Sequence, residues 1–221
     1  MKANKKAIKR NGGEIHYTHV KAGSDAICLM LSGTGYNYDK PLFYYATMTM
    51  LEHKLDVVHI HYAYDQQLLK DLLEKNSLEE ISKIMMEDIQ PVMEEVFVEN
   101  HYKKKIFLGK SLGTIPMAHD LMKREEFLTS SMILLTPLLN FNKLSDAILH
   151  SKHQRLLVIG DQDTHYNKEQ IERLGKGNIK IEVIHGANHS LDIKRNDTAD
   201  SLLALSKVME KLKEVLTEMS L

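Results

Sequence analysis

Three things are scarce in this chain of 221 residues: cysteine, long apolar runs and net charge. Cys28 is the single cysteine, so no intrachain disulfide is available and a reducing cytoplasm is the expected setting. It lies inside the apolar run "AICLML" with no neighbour that would lower its pKa, the surroundings of a core residue rather than a reactive thiol. That run, residues 26–31, is far too short to cross a bilayer, and no membrane partner is expected. The basic start "MKANKKAIKR" is followed by no apolar segment, so it does not read as a secretory signal. A formal net charge of -1 leaves no electrostatic footprint of nucleic acid or of an anionic membrane surface. Internal repeats, low-complexity tracts and Pro/Gly/Ser-rich linkers are also missing. With 43% hydrophobic residues the chain can bury a sizeable core, and one domain over 1–221 is expected.

What is present is an alternation of two periodicities. Two extended runs around "NGG" read as an N-terminal hairpin. Apolar or β-branched runs then recur at 26–33, 55–64, 104–109, 130–137, 155–160 and 178–186, the pattern of strands buried on both faces. Helical spacing fills the gaps. "SLEE" at 77–80 has the form of a capping box, and Leu78, Ile81, Met85, Ile89, Val92 and Val96 make one stripe behind it. Pro91 is expected to kink or split that helix. A second stripe, Leu202, Leu205, Met209, Leu212 and Leu216, follows Asp197 as N-cap. The fold class is therefore α/β: a mostly parallel central β-sheet with helices on both faces, led by an antiparallel hairpin. Such sheets place their chemistry at the carboxyl ends of the strands.

The stretch "KKKIFLGKSLGT" can be read in two ways. A phosphate-binding loop needs G-x-x-x-x-G-K-[ST], whose first glycine falls on position 104. That residue is Lys104, and the segment before Gly109 is strand, leaving no loop to wrap a phosphate. The same letters form G-x-S-x-G between a strand and a helix-compatible segment, a nucleophile elbow centred on Ser111. Serine needs a histidine base oriented by a carboxylate. Asp163 follows the strand at 155–160, with Asp161 as the alternative, and His189 follows the strand at 178–186, with His185 and His165 as rivals. A glycine-bearing turn, Ser32-Gly33-Thr34-Gly35, follows the first parallel strand, where an oxyanion donor is due. Ser111, Asp163 and His189 stand in the chain order that hydrolases use on this architecture.

On these residues the sequence resembles the α/β-hydrolase superfamily over nearly its whole length, in a small form similar to dienelactone-hydrolase-like serine esterases. The resemblance implies Ser111 of "GKSLG" as nucleophile, Asp163 of "GDQD" as acid and His189 of "GANH" as base. It implies the backbone N–H groups of Thr34 and Leu112 as oxyanion donors. Where relatives carry His-Gly at the oxyanion turn this chain has Ser32-Gly33, a change of little weight because the donor is backbone. The usual dienelactone nucleophile is cysteine, and Lys110 stands where many relatives have histidine or an aromatic residue.

The expected activity is that of a serine hydrolase acting on a small or medium ester or thioester without cofactor or metal. A binding protein of the same fold, with its triad unused, is the alternative. Gly33, Gly35, Tyr36, Tyr38, Tyr62, Tyr64, Thr136, Leu138 and Tyr166 are expected around the pocket, with the tyrosines on its rim. The segment between the strands at 130–137 and 155–160 has no room for a lid, which suits soluble esters better than long-chain lipid. His59 and His61 share one face of a strand but lack a third ligand nearby in the sequence, so sheet packing is the expected role. The oligomeric state has no sequence signature.

Overall fold

Each apolar run becomes a strand of a single sheet in the computed structural model, which describes residues 2–10, 13–193 and 197–218. The strands are β1 (Lys2–Arg10), β2 (Gly13–Lys21), β3 (Ala26–Leu31), β4 (Asp56–His61), β5 (Lys104–Lys110), β6 (Ser131–Leu135), β7 (Gln154–Gly160) and β8 (Lys180–Ile184). The helices are α1 (Pro41–Glu52), α2 (Gln66–Glu74), α3 (Leu78–Glu99), α4 (Thr114–His119), α5 (Asn142–His150), α6 (Lys168–Leu174) and α7 (Thr198–Glu218). The strand order is β1-β2-β4-β3-β5-β6-β7-β8. From β4 to β8 every pairing is parallel, while β1 with β2 and β2 with β4 are antiparallel. The hairpin pairs Arg10 with Gly13, and its expected turn at Asn11 and Gly12 lies outside the described residues.

Every residue of β3 and β6 is buried, as a strand covered on both faces requires. One core layer packs α2 to α6 against the sheet, with Leu72, Ile89, Ile115, Ile148 and Leu174 facing Leu29, Phe107 and Leu157. The other packs α1 and α7, with Phe43, Met50, Val208 and Leu212 facing Cys28, Leu108 and Val158. Burying one such aliphatic or aromatic side chain contributes about 1.5–3 kcal/mol. Cys28 is enclosed in this second layer, and burial holds its thiol well above the usual range.

Helix boundaries depart from the sequence pattern in four places. α3 runs unbroken through Pro91. Pro91 and Glu87 both line an open surface groove, so the carbonyl that loses its helical partner is not sealed in the core. Ser77 stands at the N-cap of α3, yet its side chain makes no capping bond; its backbone carbonyl accepts from Glu80 and Ile81 instead. Behind the elbow the helix is short: a 3-10 turn over Ser111–Gly113 leads into α4, which ends at Asp120 with φ -131°. In α7 Asp197 caps Asp200 as expected, but Leu202 is 55% exposed and Ala204, Val208 and Val215 complete the buried stripe. The true stripe contains small and β-branched residues that the leucine pattern passed over.

Candidate active site

The parallel strands end in register. Leu31 pairs with Gly109, Lys110 with Leu135, Leu135 with Val158, and Gly160 with Ile184. The loops that follow β3, β5, β7 and β8 therefore emerge along one edge. The chain reverses direction across the sheet between β3 and β5, the place where open α/β sheets form a crevice. The turn after β3 and the elbow after β5 flank that crevice.

Ser111 sits at the tightest point of the elbow with φ 52°, a left-handed conformation that costs a non-glycine residue about 1–3 kcal/mol. The two flanking glycines make the turn possible. A Cβ on Gly109 would stand 2.7 Å from the carbonyl oxygen of Gly113, and one on Gly113 would lie 2.7 Å from the carbonyl carbon of Leu31. Both distances are inside van der Waals contact. The Thr114 hydroxyl donates to the Ser111 carbonyl at 2.6 Å and steadies the turn from the helix side.

Three side chains from three loops meet here. Ser111 Oγ lies 2.8 Å from His189 Nε2, and His189 Nδ1 lies 2.8 Å from Asp163 Oδ2. A carboxylate only accepts, so Nδ1 carries the proton and Nε2 presents its lone pair to the serine hydroxyl. The other Asp163 oxygen accepts the backbone N–H of His165 at 2.9 Å, and the Asp163 side chain is fully enclosed while that of His189 is 33% exposed. A buried acceptor, an oriented imidazole and a half-buried hydroxyl form the geometry of general-base activation.

The rivals have other partners. Asp161 accepts from the backbone N–H of Gly186 at 2.7 Å and pairs with His185 at 2.6 Å, holding the turn after β8. His185 lies just past the end of β8 rather than within it. His165 stacks edge-on against His189, with ring centroids 5.1 Å apart, and its Nδ1 donates to Asn140 Oδ1 at 2.9 Å. Burial first, and then the charge of His189, lower the His165 pKa. Asn188 accepts from the N–H groups of Ser190 and Asp192, at 2.8 and 3.2 Å, and so shapes the loop that carries His189.

In the turn after β3, Gly33 packs directly over Ser111: a Cβ built there would stand 3.0 Å from Ser111 Cβ. Thr34 and Gly35 are exposed beyond it, and Leu112 is buried in the first turn after the serine. Tyr62 donates to the Ser32 carbonyl at 2.6 Å and stacks on Tyr64, with centroids 5.0 Å apart. Tyr36, Tyr62, Tyr64 and Tyr166 are all half-buried.

Three of the residues expected around the pocket are buried. Tyr38 is buried, and its hydroxyl donates to the carbonyls of Met30 and Ile60 at 2.7 and 3.0 Å, bridging β3 and β4. Leu138 packs in the core. Thr136 is fully enclosed, with φ 46°, and its hydroxyl accepts from the ammonium of Lys110 at 3.2 Å. An alternating or apolar pattern marks a strand end but does not say which side chain turns inward there.

His59 stacks flat on Tyr38, with centroids 4.2 Å apart, and shares a hydrogen bond with Thr47, while His61 shares one with Thr18. Among the described residues no three His, Cys, Asp or Glu side chains come together as a metal site, and no helix is long and apolar enough to cross a membrane.

A search of curated proteins finds no match to the chain. Among solved structures it is similar to Est1E from Butyrivibrio proteoclasticus, with 15% identity, 97% of this chain and 98% of that chain covered, and a TM-score of 0.71. It is similar to an alpha-beta serine hydrolase homologue from Coxiella burnetii, with 14% identity, 96% and 98% covered, and a TM-score of 0.69. A dienelactone hydrolase from Anabaena variabilis matches with 15% identity, 95% of each chain covered, and a TM-score of 0.66. At such identities the likeness is one of fold. The family model described as "Alpha/beta hydrolase domain" matches residues 24–217, so this chain belongs to the alpha/beta hydrolase family.

Proposed function

We propose that the protein is a serine hydrolase cleaving small or medium carboxylic esters or thioesters through Ser111, His189 and Asp163. The observation that carries this reading is the pair of 2.8 Å hydrogen bonds that join Ser111, on a strained elbow, to His189 and Asp163. In the proposed reaction Ser111 Oγ attacks the carbonyl carbon as its proton passes to His189 Nε2. Asp163 stabilises the resulting imidazolium, and the N–H groups of Thr34 and Leu112 receive the oxyanion. Collapse of the tetrahedral adduct breaks the bond to the alcohol or thiol, which leaves with the proton from His189. Water, deprotonated by the same histidine, then attacks the acyl-Ser111 ester and releases the acid.

Residues 1–221 are read as one domain without a cap, which favours soluble substrates over long-chain lipid. The four half-buried tyrosines offer apolar faces with hydroxyl edges, suited to a partly polar acyl or alcohol group. The proposed setting is the cytoplasm, since the lone cysteine offers no disulfide. No cofactor enters this reaction scheme.

The test is labelling with a fluorophosphonate, followed by peptide mass analysis. Attachment at Ser111, absent in Ser111→Ala and strongly slowed in His189→Ala, is the expected result. Folded wild-type protein that takes no label would overturn the reading in favour of a non-catalytic binding protein. A positive result leads to p-nitrophenyl esters of increasing chain length. A hydroxycinnamoyl ester joins that panel, because Est1E has been solved with ferulic acid bound.

A further inference from the structure

The residue before the nucleophile is a lysine whose side chain is only 1% exposed. No other lysine among the described residues is buried. A buried ammonium is costly unless several groups compensate it. Lys110 Nζ donates to the backbone carbonyl of His189 at 2.8 Å and to Thr136 Oγ1 at 3.2 Å. It also lies 4.5 Å from the centroid of the Tyr36 ring. One cation thereby joins the elbow to the loops after β3, β6 and β8, three of the segments that surround Ser111.

We propose that Lys110 is a positioning residue whose buried ammonium holds the His189 backbone, and with it the imidazole, in line with Ser111. The inference rests on the serine-hydrolase reading above. Its physical basis is that the elbow and the base loop come from strands that do not neighbour each other, β5 and β8. The contact from Lys110 Nζ to the His189 carbonyl spans that gap inside the protein. An ammonium has three N–H groups, and here two of them meet oxygen acceptors while the charge rests on the Tyr36 ring. A neutral amine still has two N–H groups for the same oxygens, but without the charge those bonds weaken and the attraction to the Tyr36 ring is lost.

The geometry makes the link titratable. Burial pushes the Lys110 pKa down to about 8, against the upward pull of Asp163 and Asp192. The other titratable neighbours are Tyr36, His165 and His189. Tyr36 is held above its ordinary range by burial, and His165 below its own. The ammonium is thus present below about 8 and lost above it. Positioning that depends on the charge is strongest at neutral pH and fails on the alkaline side.

The test is the second-order rate of Ser111 labelling by a fluorophosphonate between about pH 6 and 10 in wild type, Lys110→Met and Lys110→Arg, with thermal melts to establish folding. The wild-type rate is expected to fall with a midpoint near the Lys110 pKa of about 8. Lys110→Met is expected to label about 10- to 100-fold more slowly at neutral pH, the scale of an ångström-size misplacement, and to lose the alkaline fall. Lys110→Arg should keep most of the neutral rate and move the fall upward, because guanidinium stays charged. A residue that only packs would change the melt without moving the pH profile. Folded Lys110→Met that labels at the wild-type rate would sink the inference alone. If the variants do not fold, a wild-type rate that stays flat to the alkaline limit would sink it. Absence of labelling at every pH would remove the hydrolase reading and this inference together.

Discussion

The sheet carries a histidine–aspartate pair at each of its ends, and the two pairs are built for opposite purposes. At the carboxyl end His189 donates through Nδ1 to Asp163 and turns Nε2 toward Ser111, with a third of its side chain exposed. At the amino end His19 is fully buried. Tyr102 stands between it and Asp56, accepting from His19 Nε2 at 3.0 Å and donating to Asp56 Oδ2 at 2.6 Å. Asp56 Oδ1 accepts the N–H groups of Ala22 and Gly23 at 2.7 and 3.1 Å, while His19 Nδ1 is buried without a partner. The same functional groups make a structural clasp where water is excluded and a candidate catalytic relay where one imidazole nitrogen faces Ser111. What separates them is not residue type but the exposed edge of the ring and the strained serine beside it.

That contrast can be broken most forcefully from the carboxyl end. Asp163→Asn should keep the fold but lower turnover on the order of 10⁴-fold, because the amide no longer fixes the proton on Nδ1. Steady-state kinetics on a p-nitrophenyl ester, with a melt as control, will report it. Asp56→Ala should do the reverse. It strips the acceptor from Tyr102 and from the N–H groups of Ala22, Gly23 and Ser24, costing about 3–5 kcal/mol in urea unfolding while the labelling rate of the folded fraction stays unchanged. A labelling loss matching that of Asp163→Asn would end the distinction. Tyr102→Phe removes only the bridging hydroxyl and is expected to cost about 1–3 kcal/mol, again with labelling intact.

The smallest effect is one of pH. Burial lowers the pKa of His19, and burial with the charge of His61 lowers that of His59 to about 4. Both begin from an ordinary value of 6.5, so as pH falls below it the unfolded chain binds the proton first and stability declines. For His59 the decline continues toward about 4 and the stabilisation is fully present above 6.5. The urea midpoint should therefore drop between neutral and mildly acid pH, and His59→Gln should flatten part of that slope. A midpoint independent of pH in that window would count against both buried neutral imidazoles.

Much of the candidate site was legible because it depends on position along strands. Glycine on both sides of Ser111 and the strand ends before Asp163 and His189 are one-dimensional signals, and the parallel register turns them into one edge. Asp161, the alternative acid in the sequence, instead accepts the Gly186 N–H and pairs with His185 in the turn after β8. What stayed hidden was the direction of side chains at those ends. Tyr38 and Thr136 lie just after strand ends, where the pocket was expected, yet one bridges two strands and the other meets Lys110. How far the helix behind the elbow runs was not legible, because an apolar spacing does not reveal where Asp120 leaves helical geometry. Pro91 was expected to interrupt α3, but local propensity yields when the rest of a helix is buried along one face.

By itself, the sequence determined the alternation of strand and helix, the elbow with its two obligatory glycines, and the order in which serine, aspartate and histidine reach the edge. These follow from local sterics and from a burial period that each segment carries alone. Tertiary structure alone decided which histidine–aspartate pair faces water, which tyrosines turn inward, and which partners the lysine beside Ser111 finds. The reason is distance along the chain: Lys110 meets the His189 carbonyl and the Tyr36 ring, and no local pattern records that those three will come together.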